Sequence, residues 1–122
     1  MVVRPGIAFL RTHGGRVHPW IVITDPIPAS GMVVCVNLTT LDDDCVDDQC
    51  VLEKSDYASI EEDHPTKVAF SYAWPYDVQK LDDVIRRGLL KLASPPDVPP
   101  QTLKKIRLIA KTALDEGLQK LL

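Results

Sequence analysis

The sequence predicts a small, mainly β protein: an antiparallel barrel of about five to seven strands followed by α-helices at the carboxy-terminal end. Two observations indicate this fold class. Short apolar runs rich in β-branched residues, bounded by Gly, Pro and Asp, occupy the first 75 residues, and such runs are typical of strands. From residue 77 onward, apolar residues recur every three to four positions, as they do in helices. We therefore expect one domain over residues 1–122, with the barrel at about 1–75 and the helical part at about 77–122.

The first three strands are predicted at about residues 6–10, 20–24 and 32–38. A polar segment at 11–18 separates the first two strands and is interpreted as a loop with a flexible Gly14–Gly15 tip. Residues 25–31 contain Pro and Gly and are typical of a turn. Two further strands are expected at 50–53 and 67–72, with an irregular segment at 54–66 between them and a break at Trp74–Pro75.

Two helices are predicted after this break. The first begins at Asp77, a suitable N-cap, and stops at Gly88. A connector with four prolines follows at residues 94–100, because proline cannot continue a helix. The second helix begins at Pro99 and Pro100 and continues for about five turns. The apolar face of the first helix is formed by Val78, Leu81, Val84, Ile85 and Leu89, and that of the second by Leu103, Ile106, Ala110, Ala113, Leu114, Leu118 and Leu121.

The net charge of −3 is unevenly distributed along the chain. Residues 42–63 hold ten acidic side chains and one Lys, whereas residues 1–41 and 64–122 are net basic. A chain with this balance has no overall attraction to polyphosphate, so any nucleic-acid contact requires a local basic surface. We expect the acidic block at 42–63 to lie outside such a surface.

Three Cys residues, an odd number, favour a reducing compartment over a disulfide framework. We interpret Cys35, Cys45 and Cys50 as free thiols packed as small hydrophobes, and His64 as structural. Since no fourth ligand of suitable spacing accompanies them, no metal site is expected. No apolar run reaches the roughly 20 residues of a membrane span, and the amino terminus does not resemble a signal peptide. We expect a complete cytoplasmic protein without membrane contact.

The order of elements points to a known family. A strand, a segment bearing Gly and Arg, a strand opened by Pro19 and a strand ending in Thr39–Thr40 together resemble the amino-terminal half of the MazF/PemK toxins, in a divergent PemK-like branch. The resemblance implies an SH3-like barrel and the toxin component of a type II toxin-antitoxin system. Such a toxin is a metal-independent endoribonuclease that cleaves single-stranded RNA without a cofactor. The resemblance also implies a homodimer and an antitoxin protein as partner.

The resemblance assigns catalytic roles to Arg16, His18 and Thr39, and RNA-binding roles to Arg11 and Thr40. A guanidinium is well matched to the negative charge that develops on phosphorus during RNA cleavage. An imidazole suits proton transfer because histidine titrates near neutral pH. We expect the three catalytic side chains to converge on one phosphate. Because side chains alternate along a strand, only one of the two Thr residues is expected to face the loop.

Two interpretations of activity are open. The family commonly has an Arg immediately before the Pro that opens the second strand, whereas this chain has His18. Either Arg16 takes the phosphate-binding role and His18 transfers protons, or the catalytic Arg is lost. In the second case the chain is a catalytically inactive small-barrel protein that binds protein or RNA.

Overall fold

The computed structural model describes residues 1–40, 49–61 and 64–122. Its core is a six-stranded antiparallel sheet, curled into a half-barrel, with helices at the carboxy-terminal end. This confirms the predicted mainly β class. The elements are β1 (Ile7–His13), β2 (Arg16–Val22), β3 (Met32–Thr40), β4 (Val51–Leu52), β5 (Thr66–Asp77), α1 (Val78–Arg86), β6 (Lys91–Asp97), α2 (Pro100–Ala113) and α3 (Glu116–Gln119).

The strand order in the sheet is β4-β5-β3-β2-β1-β6. Apolar residues on its two faces form two separate clusters. One face carries residues such as Ile21, Val36 and Val68, and Ile106 and Ala110 of α2 pack against it. The opposite face carries Phe9, Trp20 and Val22, and α1 packs there. Because successive side chains of a strand point to opposite faces, each central strand contributes to both clusters.

The predicted break at Trp74–Pro75 is wrong, because β5 continues through it to Asp77. Pro75 pairs with Val34 of β3, whereas β4 reaches only Lys67 and Thr66 at the other end of β5. Along this part β5 is an edge strand, and a proline that lacks an N–H is tolerated there.

The proline-rich segment predicted as a connector is also a strand. Lys91–Asp97 forms β6, which pairs with β1, through Leu92 and Phe9 among others, and with no other strand of the described residues. An outer strand can contain Pro95 and Pro96 because it needs hydrogen-bond donors on one side only.

The first helix follows the prediction except at its end. Asp77 is the N-cap, and its side chain accepts a hydrogen bond from the amide of Lys80 at 3.1 Å. Gly88, at a φ of 75°, reverses the chain after the C-cap Arg87. Leu89, expected on the apolar face, is 64 % exposed because it lies beyond the helix.

The second helix is shorter than predicted. It ends at Ala113, where Leu114 adopts an extended conformation, and α3 begins separately after Asp115. The break lets the buried Leu114 pack into the core. The side-chain Nε2 of Gln119 donates to the carbonyl of Leu114 at 2.6 Å, which satisfies an acceptor that the break would expose. Among the described residues, no helix is long and apolar enough to cross a membrane.

Cys35 and Cys50 are free thiols buried in the core, as predicted. Burial raises the pKa of both thiols, so they remain protonated and pack as small hydrophobes. Cys45 lies outside the described residues, as do residues 42–48 of the acidic block.

Asp82 links the amino terminus to α1. Its Oδ1 accepts hydrogen bonds from the amides of Val2 at 2.6 Å and Val3 at 3.1 Å, and its Oδ2 lies 3.0 Å from Nε of Arg86. Burial by itself would raise the pKa of the Asp82 carboxyl. The hydrogen bonds from Val3 and Val2, and the charges of Arg86 and the amino terminus, outweigh burial and lower that pKa below its ordinary 3.8.

We expect Asp82→Asn to lower the free energy of unfolding at neutral pH by about 1–3 kcal/mol, because the amides lose a charged acceptor. A pKa lowered on folding stabilises the fold above the ordinary pKa, and this contribution disappears as the pH falls toward the folded-state pKa. The difference between the variant and the wild type should therefore shrink below about pH 4.

Urea unfolding followed by circular dichroism measures both effects. Asp83→Asn is the matched control, since Asp83 forms only an exposed ion pair with Arg87 at 3.4 Å and such pairs contribute little. Equal losses in the two variants would contradict the assigned role of Asp82.

Candidate functional site

The segment predicted as a loop at residues 11–18 is a tight hairpin. Gly14 and Gly15 have φ values of 60° and 79°, and positive φ at both central residues is what a two-residue type I′ turn requires. His13 pairs with Arg16 and Arg11 with His18. Because directly paired residues lie on the same face of the sheet, these four side chains share one face and are held on strands rather than on a loop.

The third strand brings Thr39 to the same face. Trp20 of β2 pairs with Asn37 of β3, and this register, continued by two residues, sets His18 opposite Thr39. Consistent with this, Nδ1 of His18 lies 3.2 Å from the carbonyl oxygen of Leu38. The alternation of side chains therefore assigns Thr39, rather than Thr40, to the face that carries His18.

An open groove of about 410 Å³ runs across the end of β3. We call it the Arg16 groove. It brings together Arg16, His18, Thr39 and Thr40 of the predicted site. Both threonines border it, although only one was expected to face this region, because the groove crosses the strand end where both faces are accessible. Its remaining lining residues are Val17, Pro19, Leu38, Ser59, Ile60, Glu61, His64 and Thr66.

The contact between His18 and Leu38 determines which ring nitrogen is free. A carbonyl oxygen only accepts hydrogen bonds, so Nδ1 must carry the proton for this contact to be a hydrogen bond. In the neutral imidazole, Nε2 then bears the lone pair and can accept a proton. If Nδ1 of the half-buried His18 ring donates to Leu38, Nε2 is the ring atom left to accept a proton.

Arg16 is exposed at the rim of the groove. Among the described residues, no carboxylate forms an ion pair with it. Its guanidinium is therefore available to an anionic ligand, which it can bind through two parallel N–H donors.

His64 was interpreted as structural, but it borders the Arg16 groove. Thr66, at the start of β5, pairs with Thr40 at the end of β3, and this pairing returns the segment before β5 to the groove. Nδ1 of His64 lies 3.4 Å from Oε2 of Glu61. The sequence held one signal for this placement, the β-strand pattern after His64–Pro65, but the pairing partner of that strand was not evident from sequence.

Glu61 also belongs to the acidic block that was expected to lie outside an RNA-facing groove. Glu61 borders the Arg16 groove beside His64, so this residue of the block does not lie away from the candidate site. Glu62 and Asp63 lie outside the described residues.

Arg11 lies apart from the Arg16 groove. Its guanidinium carbon is 5.5 Å from the ring centroid of Trp20 and 5.3 Å from that of Tyr76, within the range of cation–π attraction. It borders a second depression of about 470 Å³, which we call the aromatic pocket. The other residues that line the aromatic pocket are His13, Trp20, Ser71, Tyr72, Ala73, Trp74 and Asp115.

The Arg16 groove and the aromatic pocket adjoin each other. The ring of His18 in the groove and that of His13 in the pocket have centroids 6.3 Å apart. Among the described residues, no three His, Cys, Asp or Glu side chains are close enough together to hold a metal ion.

Comparison of the chain with protein-family models, with curated proteins and with solved structures gave no match.

The Gly14–Gly15 turn should set the positions of Arg16 and His18. We expect Gly14→Val to lower the free energy of unfolding by about 1–2 kcal/mol, because a residue with a side chain is strained at positive φ. Gly14→Asn should cost less, since Asn tolerates this conformation. A Cβ at position 14 meets no neighbouring atom within 4 Å, so the difference between the variants should come from the backbone. Urea unfolding measures the difference, and equal stabilities of the two variants would argue against the turn.

Proposed function

We propose that this protein is the toxin component of a type II toxin-antitoxin system, an endoribonuclease that cleaves single-stranded RNA in the Arg16 groove. The observation that supports this most directly is the meeting of Arg16, His18 and Thr39 in one groove. A guanidinium, an imidazole and a hydroxyl are the groups needed to bind a phosphate, move a proton and orient the reacting atoms. The proposed reaction uses the 2′-hydroxyl of the RNA as nucleophile and requires no cofactor.

In the proposed reaction, Nε2 of His18 takes the proton of the 2′-hydroxyl while the 2′-oxygen attacks phosphorus. The bond between phosphorus and the 5′-oxygen breaks, and that oxygen takes a proton from a general acid. The products are a 2′,3′-cyclic phosphate and a 5′-hydroxyl. His64, in the same groove, is the candidate acid, and its Nδ1 lies 3.4 Å from Oε2 of Glu61.

Arg16 supplies charge stabilisation in this scheme. Negative charge grows on the non-bridging oxygens as the pentavalent phosphorus forms, and two N–H donors of the guanidinium face those oxygens. The hydroxyl of Thr39 donates a further hydrogen bond to the same phosphate, and Thr40 and the exposed surface near Arg11 contact the flanking RNA.

The alternative is a catalytically inactive small-barrel protein that binds RNA or protein. The residue before Pro19 favours it, because His18 occupies the place where the resembled family commonly has Arg. The same groove could then hold a phosphate without cleaving the chain. We further propose a cytoplasmic homodimer that an antitoxin protein inhibits, and the mass from light scattering tests the dimer.

Arg16→Ala should lower the rate of RNA cleavage by about 10²–10³-fold, the usual loss when one group that stabilises transition-state charge is removed. The assay uses mixed-sequence single-stranded RNA with a fluorophore and a quencher, followed by analysis of the product ends. Arg107→Ala is the matched control, because Arg107 is an exposed Arg on α2 that borders neither the Arg16 groove nor the aromatic pocket.

Substrate lacking the 2′-hydroxyl at the cleaved position should remain intact. If the wild-type protein leaves every RNA intact but binds it in an Arg16-dependent way, the inactive binding protein replaces the endoribonuclease. Equal activity of Arg16→Ala and Arg107→Ala would contradict the assignment of the site.

The two histidines should control opposite limbs of the pH profile. A general base acts when it is unprotonated and a general acid when it is protonated, so cleavage should pass through a maximum with pH. His18→Ala should remove the acidic limb and His64→Ala the alkaline limb, each with about a 10²–10⁴-fold loss at the optimum. An unchanged profile in either variant would contradict the role of that histidine.

A further inference from the structure

We infer that the aromatic pocket binds an unpaired nucleobase of the RNA strand whose phosphate lies in the Arg16 groove. This inference rests on the proposed function, since it places the base next to that phosphate.

The pocket exposes an unusual amount of aromatic surface. Tyr72 and Trp74 of β5 are 52 % and 60 % exposed, and both line the pocket. The rings of His13 and Tyr72 have centroids 4.6 Å apart and are tilted by 57°. Aromatic side chains beside a basic groove are how proteins bind single-stranded nucleic acid, because every base has a face that stacks on them.

Polar atoms beside the pocket lack partners. Trp20, which lines the pocket, is 2 % exposed, and its cross-strand partner Asn37 is 1 % exposed. Among the described residues, the Trp20 indole Nε1, the Asn37 Oδ1 and the Tyr76 hydroxyl are buried without a hydrogen-bond partner. Such groups are costly to leave unpaired. Because these atoms are buried, they do not contact a ligand in the pocket, and the case for a base rests on the exposed rings and the charges around it.

The charges of the pocket also suit a nucleotide. The guanidinium of Arg11 lies over Trp20 and Tyr76 and can meet a flanking phosphate. Asp115 borders the pocket, and its Oδ1 accepts from the amide of Gly117 at 2.9 Å. Its other oxygen is available to an amino group of a base. A purely apolar partner would leave Arg11 and Asp115 without compensation, so these charges favour a base over an apolar protein segment.

The Arg16 groove and the aromatic pocket are close enough for one RNA strand to occupy both. His13 in the pocket and His18 in the groove are 6.3 Å apart, centroid to centroid. A strand whose phosphate contacts Arg16 and His18 therefore has a neighbouring base within reach of Tyr72 and Trp74. The pocket would fix the register of the RNA over the groove.

The test measures binding of a non-cleavable 2′-O-methyl oligonucleotide by fluorescence anisotropy. Trp74→Ala should weaken binding about 5- to 150-fold, as expected when one stacked base loses its partner, whereas Trp74→Phe should retain most of the affinity. Leu89→Ala is the matched control, since Leu89 is 64 % exposed and borders neither the Arg16 groove nor the aromatic pocket. Circular dichroism checks that each variant is folded.

An abasic scan of the oligonucleotide makes the test specific. One abasic position should weaken binding to the wild type but not to Trp74→Ala, because the stacking partner is already gone. A flat scan, or equal affinities of Trp74→Ala and Leu89→Ala, would overturn the inference. If Arg16→Ala loses cleavage but Trp74→Ala cleaves as the wild type does, the proposed function is supported and the stacking site is not. If the abasic scan shows stacking at one position but the wild-type protein does not cleave RNA, the stacking site is supported and the endoribonuclease proposal fails.

Discussion

The positions of Arg11, His13, Arg16 and His18 depend on the two-residue turn at Gly14–Gly15. Both glycines have positive φ, so the turn closes without extra residues and pairs His13 with Arg16. A one-residue change of register would move the whole set of side chains to the opposite face. Arg16 and His18 would then point into the core cluster that α2 covers. The turn therefore determines which residues of β2 lie in the groove and which lie in the core.

The middle of a strand and its end differ in burial in this sheet. The middle contributes side chains to the core, and the end carries the candidate functional side chains. On one face of β2, Trp20 and Val22 are buried under α1, while His18 and Arg16 emerge beyond the helix. On β3, Asn37 is buried and Thr39 is half-buried. The site lies where the cover of α1 ends. Side chains in such a place are positioned by well-packed neighbours yet remain accessible to a ligand, which is the arrangement that a binding site requires.

The sequence was sufficient to predict the class of fold, and four of the residues it selected line one groove. Alternating and periodic apolar residues identified the central strands and α1, and Asp77 was recognised as its N-cap. The sequence was not sufficient to predict the proline-containing strands. A strand tolerates Pro75, Pro95 or Pro96 only at an edge of the sheet, and the places of β5 and β6 in the sheet were not evident from sequence. The helix after Pro100 was predicted too long, since the stripe of apolar residues continues through Leu118 although the backbone breaks at Leu114.

The candidate site, like the fold, could be predicted only in part from the sequence. Arg16, His18 and Thr39 could be selected from sequence because a resemblance supplied their roles, and strand pairing brings them to one groove. His64 and Trp74 could not be selected, because each reaches its place through the long-range pairing of β5 with β3. The Gly14–Gly15 pair between alternating polar and apolar residues was a hairpin signal that a loop interpretation missed.

The charge of the groove also follows from this pairing. Arg16 comes from the β1–β2 hairpin, whereas Glu61 arrives with the segment before β5 and lies beside His64 rather than in an ion pair with Arg16. The acidic group is thereby engaged with an imidazole, and the guanidinium is left for an incoming anion. Were Glu61 paired with Arg16 instead, an RNA phosphate would have to displace a carboxylate, which would reduce the affinity of the groove for RNA. The separation of these two charges is the feature that makes a phosphate site physically reasonable in a chain with net negative charge.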